Sequence, residues 1–246
     1  MDQFPQPGYP KMTVPGKKLP GRRLVGGLPR TDLHPINVAA WSKTAIGPPS
    51  GNLQYIRQTL SAAEYVVRVC QCCPMGRDEI AVQLVDEGNS ESAVRFLFEW
   101  VSDGEDEARR YLAAHAEPDG TSLIAASGSG AVGYAAIVWE SNYAGFRSRG
   151  IPLVHQIAVG EPWRRRGIAT LLMDAAEHLA RGRGIATLGI TVGLFDEYGP
   201  AQRMYGQRGY IPDGRGACRG QCPLRKGMQV SMDHDLIIWL TKDLVS

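Results

Sequence analysis

Twelve consecutive residues constrain this chain more than any others: Val159-Gly160-Glu161-Pro162-Trp163-Arg164-Arg165-Arg166-Gly167-Ile168-Ala169-Thr170. They join an apolar, strand-like run (Ile151 to Val159) to a strongly helical one (Leu171 to Arg181). A strand, a basic turn and a helix N-terminus in that order make an anion-binding geometry. The first N–H groups of a helix have no intrahelical partner and carry the positive end of its dipole, so an oxyanion there meets donors and field together. Gly167 and Ala169 keep bulk out of the turn, which lets backbone close around the anion. Arg164, Arg165 and Arg166 add positive charge at the rim.

A second stretch lies one strand further on: Ala201-Gln202-Arg203-Met204-Tyr205-Gly206-Gln207-Arg208-Gly209-Tyr210. Arg164-x-x-Gly167-x-Ala169 resembles the (Arg/Gln)-x-x-Gly-x-(Gly/Ala) motif of the GNAT superfamily of acyl-CoA-dependent N-acetyltransferases. The second stretch is similar to that family's Ala-x-x-Leu-Tyr-x-x-x-Gly-Phe helix and turn. The resemblance implies an α/β (α+β) mixed-sheet fold, with a central, mostly antiparallel sheet splayed between its fourth and fifth strands and flanked by helices. It implies acetyl-CoA as cosubstrate and direct attack by an amine, without a covalent enzyme intermediate.

By the same resemblance, backbone groups of Ile157, Ala158 and Val159 hold the pantetheine arm. The turn of Arg164, Arg165, Arg166, Gly167, Ile168, Ala169 and Thr170 holds the pyrophosphate. Tyr205 matches the family tyrosine that acts as general acid toward the CoA sulfur; a phenol of ordinary pKa about 10 is protonated at pH 7. His155, two residues before the pantetheine segment, stands where some members place a His or Glu base. Its ordinary pKa of about 6.5 suits proton acceptance, though a lone histidine beside an apolar strand is more often a satisfied core residue. Glu140, Glu161, Asp196 and Glu197 are the other candidate bases. One departure is plain: the family often has Asn three residues before the alanine of the second motif, and Tyr198 stands there.

Composition narrows the rest. The chain has 246 residues, 43% of them hydrophobic, which is ample for a buried core. No apolar run approaches the ~20 residues of a membrane span, so a soluble, cytoplasmic protein is expected. Residues 1–74 carry nine Lys+Arg against three Asp+Glu, and residues 75–246 carry 18 against 22. The basic excess is scattered and not striped, which makes nucleic acid an unlikely partner even for residues 11–30. Five cysteines, Cys70, Cys72, Cys73, Cys218 and Cys222, are an odd number without Cys-x-x-Cys zinc spacing, so neither a disulfide framework nor a metal is expected.

Residues 1–51 hold nine of the sixteen prolines and seven glycines, and no apolar periodicity. They read as an irregular extension, and the segment 1–74 as dispensable, with the catalytic domain over 75–246. Leu53, Ile56, Leu60 and Ala63 are spaced for a short helix within 52–70. Beyond lie a strand at Ile80–Val85, two helices up to Pro118, and a hairpin of Ser122–Ala126 with Ala131–Glu140. A polar loop Ser141–Gly150, the strand Ile151–Val159, a helix to Arg181 and a strand Ala186–Val192 follow. Then come a helix Tyr198–Gln207, a Gly/Arg-rich loop Asp213–Gly227 and a last strand Leu236–Leu240. In the family this chain resembles, the first helical pair flanks the acceptor site, which makes Phe96, Phe98 and Trp100 candidates to shape that pocket, with simple core packing the more ordinary role for at least one of them. The acceptor itself is read as the amine of a small molecule. A protein or peptide amine, or a noncatalytic acyl-CoA-binding module, are the alternatives, and a homodimer is left open.

Overall fold

The computed structural model describes residues 80–128 and 130–245 in full, with the backbone of Tyr55–Thr59 and Tyr65–Val69. Those two segments are strands β1 and β2, an antiparallel pair with Tyr55 opposite Val69. The short helix expected within 52–70 is therefore corrected. Tyr-Ile-Arg-Gln-Thr and Tyr-Val-Val-Arg-Val are aromatic and β-branched, and those residues favour the pleated, paired state over a single apolar helix face. The boundary placed at residue 75 and the extension 1–51 lie outside the described residues.

Eight strands form the main sheet: β3 (Ala81–Leu84), β4 (Gly120–Ser127), β5 (Gly130–Val138), β6 (Leu153–Val159), β7 (Thr187–Gly193), β8 (Ile211–Arg219), β9 (Cys222–Pro223) and β10 (Leu236–Asp243). Their order is β3-β4-β5-β6-β7-β10-β8-β9. Every neighbouring pair is antiparallel except β6 and β7, which run parallel. The fourth and fifth strands expected from the sequence are thus β6 and β7.

Helices α1 (Ser90–Trp100) and α2 (Glu105–Ala114) cover one face, packing Ala93, Val94, Phe96, Leu97, Ala108 and Tyr111 onto Ile124, Tyr134 and Ala136. Helices α4 (Ile168–Gly182) and α5 (Gly199–Gln207) cover the other, over Val82, Leu123, Ala135, Ile137, Val154, Ile190 and Val192. A strand buried on both faces reads as continuous apolar sequence, which is why Leu123-Ile124-Ala125 does not alternate. Gly133 lets α4 approach: a Cβ there would come within 3.0 Å of Ile168 Cγ2. Phe96 is core and Phe98 is 50% exposed, whereas Trp100 stands at the end of β6, its ring 3.3 Å from where a Gly160 Cβ would stand.

Two expected loops carry structure. Within 141–150 the short helix α3 (Ala144–Arg147) buries Tyr143 and Phe146 against Trp239, Leu153 and Cys218. Phe146 fits because Gly189 has no side chain; a Cβ there would clash with the ring at 2.1 Å. The supposed loop 213–227 is largely β8 and β9. Opposite β10, Ala217 pairs with Ile238 and Pro212 with Leu240, so Asp213-Gly214-Arg215-Gly216 bulge out across from Trp239. Gly214 and Gly216 take positive φ there, and the glycines that suggested a loop are what permit the bulge. Cys218 is buried and Cys222 exposed on the two strands of this hairpin, and both are free thiols.

Candidate active site

The sheet forks between β6 and β7. They pair only at Leu153 with Gly189 and Val154 with Ile190. Val154 is 1% exposed, yet every residue from His155 to Val159 is half-exposed although β6 is central in the sheet. The cause is local. On the β5 side, Ala136 pairs with Gln156 but Ile137 pairs with Val154, so His155 is an extra residue, a β-bulge that turns β6 away from β7. Gly160 N–H donates to Val132 C=O across the same pair. Alternation then directs the polar backbone of Ala158 and Gln156 at β5, and that of Ile157 and Val159 into the fork. The expected splay is present at the expected strands. Of the pantetheine segment, Ile157 and Val159 offer backbone groups there, while those of Ala158 face β5.

The end of β6 leads through a short 3-10 turn, Glu161–Trp163, into the basic turn. Gly167 caps α4 in the left-handed region at φ 80°, and Arg165 is a non-glycine residue at φ 62°. The first backbone bond of the helix runs from Leu171 N–H to Gly167 C=O, so the N–H groups of Ile168, Ala169 and Thr170 precede it. A Cβ built on Gly167 would meet nothing within 4 Å, so the turn itself is open to solvent at that residue. The three arginines are exposed. Arg164 Nε donates to Val159 C=O at 3.2 Å, and Arg166 lies 5.0 Å over the Trp163 ring. Backbone donors and three exposed arginines that form no ion pair among the described residues suit a pyrophosphate.

Tyr205 projects from α5 into the core layer between α4, α5 and the fork, with its ring edge-on to Tyr210. Burial raises its pKa well above the ordinary phenol value, so it keeps its proton throughout the working range. Where the family often has Asn, Tyr198 lays its ring over Gly193 at the end of β7, and its hydroxyl is 3.1 Å from His234 Nδ1. Gln202 Nε2 donates to Gly193 C=O at 2.7 Å and anchors α5 to the fork.

His155 lies on the α2 face, 2.9 Å through Nδ1 from the Tyr111 hydroxyl and stacked at 4.9 Å on His115. Withdrawal from water, reinforced by His115, pushes its pKa from 6.5 down to about 4. The imidazole is neutral at pH 7 and a weaker base than the sequence suggested. Glu140, Glu161, Asp196 and Glu197 are all exposed. Sequence reasoning missed Tyr111 and His115. They sit four apart at the end of α2, and only the fold brings them to β6.

The sequence profile of the Acetyltransferase (GNAT) family matches residues 87–210, just over half of the chain. The chain belongs to the GNAT acetyltransferases. No curated protein matches its sequence. Among solved structures, a Desulfovibrio desulfuricans protein assigned to the GNAT acetyltransferases superposes with a TM-score of 0.51 at 16% identity, over 68% of this chain and 99% of its own. An aminoglycoside 6'-acetyltransferase type Ii gives 0.49 at 15% identity, over 67% of this chain and 97% of its own. The Escherichia coli ribosomal-protein-S18-alanine N-acetyltransferase gives 0.48 at 14%, over 67% and 94%. At 16% identity the likeness to the Desulfovibrio desulfuricans structure shows the fold alone. Among the described residues no helix is long and apolar enough to cross a membrane.

One consequence of the histidine environment is measurable without substrate. The folded His155 titrates at about 4 and the unfolded group near 6.5, so between those values the unfolded chain binds more protons. Stability is therefore full above pH about 6.5 and falls as pH drops toward 4. Urea midpoints measured at pH about 7 and about 5 should fall less in His155→Gln than in the wild type. Equal falls would remove His155 from the account.

Proposed function

We propose that this GNAT protein transfers an acetyl group from acetyl-CoA to a primary amine of a small molecule. The observation that carries the reading is the fork: a sheet opened at the His155 bulge, with the α4 cradle at the end of the same strand. When bound, acetyl-CoA supplies an acyl group activated as a thioester. Ile157 and Val159 offer backbone hydrogen bonds to an extended arm laid in the fork, in the manner of an added strand. Ile168, Ala169 and Thr170 offer N–H groups to phosphate oxygens, and the exposed arginines add charge.

The amine must arrive with its lone pair free, form the C–N bond as the C–S bond breaks, and lose one proton, which ends on the departing sulfur so that the acetylated amine and free CoA thiol leave. Tyr205 serves the leaving side. A phenol with its pKa raised by burial is a weaker acid than a free thiol, so it stabilises departing thiolate as a hydrogen-bond donor in a dry site. Thr170 Oγ1 lies 3.9 Å from Met204 Sδ, so the cradle and the helix bearing Tyr205 are in contact and hold one geometry.

Thiol release from acetyl-CoA across aminoglycosides, polyamines, amino acids and short peptides tests the reading. A small amine should turn over, and Tyr205→Phe should slow kcat about a hundredfold at unchanged acetyl-CoA affinity. Binding of acetyl-CoA with no turnover on any amine would instead mark a noncatalytic acyl-CoA module.

A further inference from the structure

Strand β9 ends the sheet, and the chain returns from it to β10 through residues 224–235. Leu224 N–H donates to Ala217 C=O at 2.8 Å and prolongs the β8–β9 pairing. Met228 N–H then donates to Arg225 C=O in one turn, and Leu236 N–H to Asp233 C=O in another. Between those turns lies Met228-Gln229-Val230-Ser231-Met232. Its apolar residues are turned to water: Met228 is 56% exposed, Val230 37% and Met232 70%. Apolar residues at every second position share one face of a strand. Among the described residues the backbone groups of Gln229, Val230 and Met232 make no hydrogen bond, and Ser231 C=O accepts only from Arg219 Nη1, at 3.3 Å. A run with an apolar face and open backbone groups is a template for one more strand.

The run is held in place at its acidic end. Arg219 of β8 donates to both Asp233 oxygens, at 3.0 and 2.7 Å, and the Tyr198 hydroxyl lies 3.1 Å from His234 Nδ1. Less ordering is then left for the moment of association. Charge selects the partner. Arg225 and Lys226 stand in the turn before the run and form no ion pair among the described residues, while Asp233 and Asp235 stand in the turn after it. Asp233 is taken up by Arg219, but the Asp235 side chain is 70% exposed and 3.8 Å from that guanidinium. A second copy laid antiparallel about a two-fold axis at Val230 sets Met228 against Met232 and Val230 against Val230. It also brings the basic turn of each copy to the acidic turn of the other. A parallel alignment would set Arg225 and Lys226 against themselves. The run is self-complementary in one direction only.

We propose that residues 228–232 pair antiparallel with the same residues of a second copy of this chain, making a homodimer whose two-fold axis passes through Val230. The contact is small, so it belongs with the weak, transient interfaces, and half-association is expected at about 10–100 µM. The pairing stands apart from the acyl-transfer reading, and its test uses no turnover.

Sedimentation velocity of the full chain reads the mass directly, in a reducing buffer that keeps the exposed Cys222 thiol from cross-linking two copies. Between about 1 and about 300 µM the wild type should pass from the mass of one chain toward that of two. Val230→Glu sets two carboxylates face to face on the axis and should stay at one chain throughout. Arg225→Glu and Asp235→Arg each place like charges at both ends of the pair, and each should raise the dissociation constant about tenfold or more. Mixed in equal amounts, these two variants should recover wild-type association, because each reversed end then meets its opposite. That recovery also shows both variants to be folded. A wild type that remains one chain at about 300 µM would overturn the proposal and leave the run to a different partner. A dimer that survives Val230→Glu would overturn it by placing the contact elsewhere. A mixture that associates no better than its components would remove the antiparallel pairing.

Discussion

Glu177→Ala is expected to lower stability by about 3–5 kcal/mol, the cost of removing one partner from a buried ion cluster. The Glu177 side chain is 4% exposed, in the layer between α4 and the sheet. Its Oε1 accepts from Arg208 Nε at 3.0 Å and its Oε2 from Lys242 Nζ at 2.7 Å. Arg208 caps α5 and Lys242 belongs to β10, so one carboxylate ties three elements together. In Glu177→Ala, Arg208 still has Asp174 at 2.7 Å, but the Lys242 ammonium loses its partner and lies 5.6 Å from the face of the Tyr210 ring. The uncompensated lysine should carry most of the loss. Urea unfolding of Glu177→Ala, Lys242→Met and the double variant separates the terms. The double variant should recover part of the loss, because an apolar replacement removes the stranded charge. A loss below about 1 kcal/mol in Glu177→Ala would show that the cluster is solvated and contributes little. The consequence reaches the site: α5 seated by this cluster is the helix that carries Tyr205 and Gln202.

How far the sequence reveals such a site depends on the range of the interactions that build it. The strand, glycine-containing turn and helix N-terminus of the candidate cradle are legible because they are local, each residue's conformation being set by its neighbours. The helix that carries Tyr205 is legible for the same reason, opened by Gly199-Pro200. The splay was implied by resemblance, but its cause, the extra residue at His155, is a register mismatch with β5 that no pattern in β6 alone displays. The Tyr111, His115 and His155 set is further removed, joining residues 44 apart along the chain. His155 therefore read as an ordinary imidazole near 6.5, because the apolar enclosure that lowers it comes from α2 and β5. The Gly/Arg-rich stretch misled in the opposite direction. Gly214 and Gly216 suggested an open loop, and pairing with β10 overrode that preference. The result is a bulge whose Arg215 bonds the Tyr143 hydroxyl, with Asp213 Oδ2 accepting from the same hydroxyl at 2.9 Å. Likewise Leu53, Ile56, Leu60 and Ala63 satisfied a helical spacing within 52–70, while the composition of 55–59 and 65–69 favoured strands, and composition prevailed.

Gly167→Val should weaken acetyl-CoA binding at least tenfold, about 1.4 kcal/mol, while the chain stays folded. The argument has two separable parts. The first is conformational: Gly167 is at φ 80°, where a β-branched residue is strained, so the turn must either pay roughly 1–2 kcal/mol or relax. Relaxation swings the N–H groups of Ile168 and Ala169 off a common target. The second is steric: a Cβ at Gly167 meets no protein atom within 4 Å, so an isopropyl group there adds bulk to the surface of the turn and not to the core. Gly182 at the far end of α4 supplies the control, since it too has open space around a built Cβ but no positive φ. Gly182→Ala should be neutral or stabilising by about 0.5–1 kcal/mol and bind acetyl-CoA as the wild type does. Gly167→Ala should fall between, with the strain but with one methyl in place of an isopropyl group. Titration calorimetry with acetyl-CoA gives the affinities, and thermal unfolding without ligand gives the strain. Wild-type affinity in Gly167→Val would move the pyrophosphate away from the α4 N-terminus and onto the arginines alone. In that case Arg164, Arg165 and Arg166 variants, not the glycine variants, would carry the loss, and the binding would show the steep salt dependence of exposed charge.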